Sequence, residues 1–133
     1  LIPLIVYLDV DESNLDSKAS NYIEPKIKEF LIKELSVNFT DNSSNYDLQI
    51  YVKATTNNPI YNEEWDIYNV VGNAKIDVRI QGQEEPILSL AINNEKGPSF
   101  NSFKQAGMTA LQRISDKIFN ETLVELVSIL KKN

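Results

Sequence analysis

Residues 86–133, PILSLAINNEKGPSFNSFKQAGMTALQRISDKIFNETLVELVSILKKN, decide the fold. Leu88, Leu90 and Ile92 alternate with Ser89, Ala91 and Asn93, the signature of a strand with one apolar face. Gly97-Pro98-Ser99 reads as a corner. Beyond it, Phe103, Ala106, Gly107, Ala110, Leu111, Ile114, Ile118, Leu123, Leu126, Val127 and Leu130 recur at about 3.6 residues, which predicts one long amphipathic helix. Ala106, Gly107 and Ala110 share a face and are small enough for the helix backbone to approach a sheet closely.

Working outward, Leu4 to Val10 is a nearly continuous apolar run, as in an interior strand covered on much of both faces. The polar segment Asp9 to Asn14 ends it. Asn14 or Asp16 can then cap a helix through Leu35, with Leu15, Ala19, Tyr22, Ile23, Ile27, Phe30, Leu31 and Leu35 inward. Pro25 lacks an N–H, so it should kink this helix or start a second segment. A short segment Val37–Phe39 and a turn-rich stretch to Asn45 follow. Tyr46 to Thr55 and Ala74 to Gln81 alternate apolar and polar side chains, with Gly72 marking a bulge in a strand that begins near Asp66. Gln81 to Glu85 forms the hairpin turn to the last strand. The order is β-α-β-β-β-α, with room for a short strand after the first helix. This predicts an α+β, two-layer sandwich over residues 1–133: a mostly antiparallel sheet of four or five strands with two helices on one face.

The 133 residues carry a formal charge of −6, which argues against nucleic acid as partner, since phosphate neutralisation needs clustered Lys and Arg. Lys26, Lys28 and Lys33 are interleaved with Glu29 and Glu34, a mixed solvated face. With no Cys and no His, the chain has no disulfides, no thiol or imidazole chemistry, no Ser-His-Asp triad and no ordinary zinc site. No apolar run approaches the length of a membrane span. The start Leu1-Ile2-Pro3, without Met, suggests a processed or excised piece, so a lipid anchor would lie upstream.

Several phrases, in order along the chain, carry a resemblance. They are Val37-Asn38-Phe39, Tyr46-Asp47-Leu48-Gln49-Ile50-Tyr51-Val52, Ile76-Asp77-Val78-Arg79-Ile80-Gln81-Gly82, and Lys96-Gly97-Pro98-Ser99 followed by Ala106, Ala110, Ile114 and Ile118. This pattern resembles a superfamily of bacterial envelope modules that includes the TolB amino-terminal domain, the curli secretion-channel lipoprotein and flagellar assembly protein T. The chain departs from it in the inverted Tyr46-Asp47 pair and in Pro25. The resemblance implies a periplasmic or outer-membrane-associated module without catalysis, which docks on other envelope proteins or assembles with its own copies. It transfers no catalytic residues and no cofactor.

Among candidate sites, Asp9, Asp11, Ser13 and Asp16 faintly resemble a calcium loop, but Asn14 stands at the turn glycine and Ser20 at the bidentate glutamate. A polar turn with a helix cap explains them better, and no metal is expected. Glu63-Glu64 and Glu84-Glu85 could be offered as paired carboxylates for acid–base work, but both pairs sit in predicted turns and read as solvated turn charges. The segment Asn57 to Tyr68 holds the lone Trp between two strands. Its Pro59, Ile60, Tyr61, Trp65 and Tyr68 form the candidate partner-binding loop, because aromatics with a polar tip favour interface anchors. The competing reading folds Trp65 back over the sheet edge to close the core, the commoner fate of a large aromatic. The leading expectation is therefore a non-catalytic envelope binding or assembly module. The alternative is a small-ligand-binding or inhibitor domain of cystatin-like layout, distinguished by one helix on the sheet rather than two.

Overall fold

The computed structural model describes residues 2–18 and 22–132. In chain order the elements are β1 (Leu4–Asn14), β2 (Ser17–Lys18), α1 (Ile23–Glu34), β3 (Val37–Thr40), β4 (Leu48–Asn62), β5 (Ile67–Ile80), β6 (Leu88–Ser99), α2 (Phe103–Ile118), a π-helical turn (Phe119–Leu123) and α3 (Val124–Lys131). The six strands form one sheet in the order β2-β1-β4-β5-β6, with β3 beside the first half of β1. β4, β5 and β6 are antiparallel, whereas β1 runs parallel to both β4 and β3.

Pairing sets the faces. Val6, Leu48 and Ile80 lie in line, as do Val10, Val52 and Ile76, so the even-numbered residues of β1, β4 and β5 share one face within the paired core. That face holds Val6, Leu48, Ile50, Val52, Ala54, Ile76 and Val78, all at most 1% exposed, beneath both helical layers. The opposite face carries Tyr51, Lys53, Lys75, Asp77 and Arg79, and among the described residues no helix packs over it. Two helices on one face match the expected sandwich and not the single wrapped helix of a cystatin-like layout. α1 contributes Ile23, Ile27 and Leu31, each at most 1% exposed, and burying such side chains stabilises by about 1.5–3 kcal/mol apiece.

The first helix starts later than expected. Leu15 and Asp16, at φ 51° and 66°, form the two-residue turn between β1 and β2 instead of the first turn of a helix. Neither Asn14 nor Asp16 caps α1. Leu15 is half-buried in that turn, Tyr22 precedes the helix, and Ala19 lies outside the described residues. Pro25 is the third residue of α1, where its missing N–H would have had no intrahelical partner, so it neither breaks nor splits the helix.

The Gly97-Pro98-Ser99 corner is also corrected. These residues are strand, paired with Val70, Asn69 and Tyr68, and the chain turns at Phe100–Ser102. Ser102 caps α2 by accepting from the Gln105 N–H at 3.1 Å. Ala106 and Ala110 are fully buried. A Cβ on Gly97 would lie 2.1 Å from the Ala106 carbonyl oxygen, so helix and sheet touch there backbone to backbone. Gly107 meets the other end of β1: its missing Cβ leaves room for the Asn14 side chain, which donates to the Lys104 carbonyl at 3.0 Å and accepts from the Thr56 hydroxyl at 2.5 Å.

Candidate functional site

β4 leaves the core at Asn57. Through Thr56 alternate residues are buried, and from Asn57 to Asn62 every residue is exposed. What the sequence suggested as a loop from Asn57 to Tyr68 is the far end of a long β-hairpin, closed by the pair Asn62–Ile67 around a four-residue tip, Glu63–Asp66. A bulge interrupts its first arm. Between the pairs Asn57–Val71 and Ile60–Asn69 the register shifts, with Asn58 at φ 54°. Pro59 has no N–H to give to a ladder and sits where none is required.

The bulge inverts the facing of everything beyond it. Tyr61 therefore points to the helix side, opposite Tyr68, with ring centroids 4.8 Å apart. Tyr68 in turn meets Phe103, in the first turn of α2, edge-on at 5.0 Å. Ile60 falls on the open face opposite Asn69. At the tip, the Trp65 N–H donates to Asn62 Oδ1 at 3.2 Å, Asp66 adopts φ 54°, and the Tyr61 hydroxyl donates to the Asp66 carboxylate. The turn is thus held by its own side chains, and it presents Trp65 outward.

Exposure rules out the reading in which Trp65 folds back over the sheet edge. It is 66% exposed, Ile60 63% and Tyr61 40%, so Trp65 does not close the core. The structure groups Pro59, Ile60, Tyr61 and Trp65 on one protruding element. Tyr68 stands apart as the half-buried strut that fastens Tyr61 to α2. Sequence reasoning missed Phe100, which is 75% exposed and follows the last β5–β6 pair, Tyr68–Ser99, at the same end of the sheet. Its signal was visible: Phe100 is a large aromatic outside both the strand alternation and the helix period. Residues 57–68 contain Glu63, Glu64 and Asp66 and no Lys or Arg, so the element is apolar and anionic together.

The remaining candidates do not converge. Asp9 and Asp11 lie on the open face of β1, opposite Tyr51 and Lys53, while Asp16 is in the β1–β2 turn. A straight strand cannot wrap an ion. Among the described residues no group of three or more acidic side chains could hold a metal. Asp47 is engaged, accepting from the Ile5 N–H at 2.8 Å. Lys117, hydrogen-bonded to Glu95 at 2.7 Å, is held above its ordinary titration range by that bond and its charge. A groove of about 360 Å³ lies between the β1–β2 turn and α2, lined by Asn14, Leu15, Lys18, Tyr22, Lys104 and Met108.

No protein-family model matches the chain, and no curated protein matches its sequence. Solved structures do. A neuraminyllactose-binding hemagglutinin homolog from Helicobacter pylori aligns over 98% of this chain and 90% of its own, at 12% identity and a TM-score of 0.51. The hypothetical protein CT253 from Chlamydia trachomatis aligns over 99% of this chain and 100% of its own, at 7% identity and a TM-score of 0.53. At such identities the likeness shows a shared α+β fold that spans nearly the whole of each chain.

Proposed function

We propose that this chain is a non-catalytic, envelope-associated binding module that docks a partner protein through the tip of the β4–β5 hairpin. The observation that carries the reading is the exposure of Trp65, Ile60, Tyr61 and Phe100 at one end of the sheet. Ile60 lies on the open face and Tyr61 on the helix face, so this end of the sheet offers exposed apolar side chains on both sides, and exposed apolar surface is where interaction sites form. The tip is also pre-organised by Asn62, Asp66 and the Tyr61–Tyr68–Phe103 stack, which lowers the ordering cost of docking. Its three carboxylates favour a cationic protein surface over an anionic lipid surface.

The envelope assignment rests on the ordered likeness to bacterial envelope modules, and the fold shared with the Helicobacter hemagglutinin homolog supports a binding role. The absence of His and Cys supports a role without catalysis. Affinity capture from a bacterial envelope extract tests the reading, with wild type, Trp65→Ala and Tyr61→Ala as baits and a thermal melt for each. A protein retained by wild type and lost by Trp65→Ala, with the melt unchanged, is the expected outcome. Equal retention by all three baits would sink it.

A further inference from the structure

The sheet has two edges, and they are built differently. On one side, among the described residues, β3 covers Leu4–Tyr7 of β1 and β2 covers Ser13–Asn14, and the stretch between them carries Asp9, Asp11 and Glu12; very short edge strands and charges offer little to a foreign strand. On the other side lies β6, twelve residues long and bonded to β5 alone. Its second half is guarded. Asn94 takes φ 59° where the β5–β6 register shifts, Arg113 donates to the outer carbonyl of Lys96 at 2.7 Å, and Pro98 has no N–H. Bulges, charges and Pro are how natural edges avoid pairing.

The first half of β6 has none of these devices. Leu88-Ser89-Leu90-Ala91-Ile92-Asn93 carries no charge, no Pro and no Gly. Leu88 and Leu90 pair with Val78 and Ile76, so they belong to the helix face, yet both are left half-buried at the rim. Ser89 and Ala91 are exposed on the open face. Val124, which follows the π turn packed on β6, is 48% exposed.

We propose that a second copy of this chain pairs antiparallel with Leu88–Ile92 about a two-fold axis through Leu90, perpendicular to the sheet. Such an axis sets the segment against itself, so any charge within it would meet a like charge, and there is none. It places Leu88 opposite the partner's Ile92, Leu90 opposite its own counterpart, and Ser89 opposite the partner's Ala91. The apolar pairs all fall on the helix face and continue the core layer across the seam. The flanks fit as well: Lys96 is directed toward the partner's Glu84 and Glu85, while Glu95 is already held by Lys117 at 2.7 Å. Both helical layers then lie on the same side of one continuous sheet.

Sedimentation equilibrium of the full chain tests this, with a concentration-dependent dimer expected. Ala91→Glu alters an exposed side chain, so the fold is retained. It should weaken dimerisation on the order of tenfold or more by setting charge into the seam. In a chain without cysteine, Leu90→Cys should cross-link to its counterpart under mild oxidation, because directly opposed Cα atoms lie about 4.5–5.5 Å apart, within disulfide reach. Thr109→Cys, on α2, should not. A wild type that stays monomeric, a dimer unmoved by Ala91→Glu, or a dimer whose Leu90→Cys fails to cross-link overturns the proposal. Trp65→Ala should leave the dimer intact, since the hairpin tip lies at the opposite end of β6. A dimer lost with Trp65→Ala would move the contact to the hairpin and overturn the edge assignment.

Discussion

The carboxylate of Glu12, on β1, accepts the backbone N–H of Ile23 at 2.9 Å, and with it those of Tyr22 and Glu24 at 3.0 and 3.1 Å. A strand residue thereby caps a helix that has no side-chain cap of its own. Glu12 is 4% exposed, a burial tolerable for a carboxylate because orphan N–H groups at a helix start are both donors and the positive end of a dipole. The same bonds tie the start of α1 to the sheet.

Glu12→Ala should therefore cost more than an ordinary cap. Lost caps cost about 1 kcal/mol, and buried donors left unsatisfied cost about 1–3 kcal/mol. We expect a loss of about 2–4 kcal/mol in urea unfolding. Glu12→Gln, which keeps one acceptor oxygen, should lose less. Equal stability of wild type and Glu12→Ala would show that α1 is held by its apolar face alone.

The close approach of α2 gives a graded prediction. At Gly97 an added Cβ would meet backbone atoms at 2.1 and 2.6 Å, whereas at Gly72 it would meet the terminal Cδ1 of Ile114 at 2.8 Å. Backbone cannot yield without moving the helix, but a side-chain tip can rotate. Gly97→Ala should lower stability more than Gly72→Ala, and Ala110→Phe should cost about 1–3 kcal/mol by overpacking. Thermal melts of the three variants check the order. A neutral Gly97→Ala or a neutral Ala110→Phe would refute the helix register.

Much of this architecture was legible because period decides face. The alternation from Leu48 to Ala54 and from Ala74 to Ile80 placed the core, and Ala106 and Ala110 marked the helix face against the sheet. Gly72 suggests a bulge in β5, but β5 runs in register with β4 there and the extra residue lies in β6, at Asn93–Asn94; Gly72 instead makes room for the Ile114 side chain. What stayed hidden depended on contacts distant in sequence. The capping of α1 by Glu12 spans eleven residues from Glu12 to Ile23. Leu15 at φ 51° contradicts local propensity outright, since such turns favour Asn and Gly. The hairpin arms were mistaken for a loop because the bulge at Asn57–Ile60 breaks the alternation that would have revealed them.

The π turn was present in the pattern but unread. The apolar series runs Ile114, Ile118 and then Leu123, a step of five where four is usual. A π turn over Phe119–Leu123 absorbs the extra residue and keeps Leu123 and Leu126 in the core, 1% and 0% exposed. Deleting the exposed Asn120 should convert the turn to regular helix with the same face inward, moving the melting temperature by no more than about 5 °C. Deleting the exposed Asp116, upstream of Ile118, should rotate Ile118 by about 100° out of the core even if the π turn relaxes, and lower the melting temperature further. Similar melts for the two deletions would argue against the register reset.

The hairpin tip should be separable from the fold. Trp65 is the single tryptophan and is 66% exposed, so its fluorescence reports the tip and little else. Trp65→Ala removes no core contact and should change stability by less than about 0.5 kcal/mol, as surface substitutions do. Tyr61→Ala breaks the stack on Tyr68, and should cost about 0.5–1.5 kcal/mol while leaving the core intact. Restoring Phe at 61 should recover the stack but not the bond to Asp66, so Tyr61→Phe separates the two contributions. In wild type, urea should red-shift Trp65 emission only slightly, since the indole is already wet. A large shift at the unfolding midpoint would mean that Trp65 sits in an apolar contact when folded, and the docking role of the tip would fall with it.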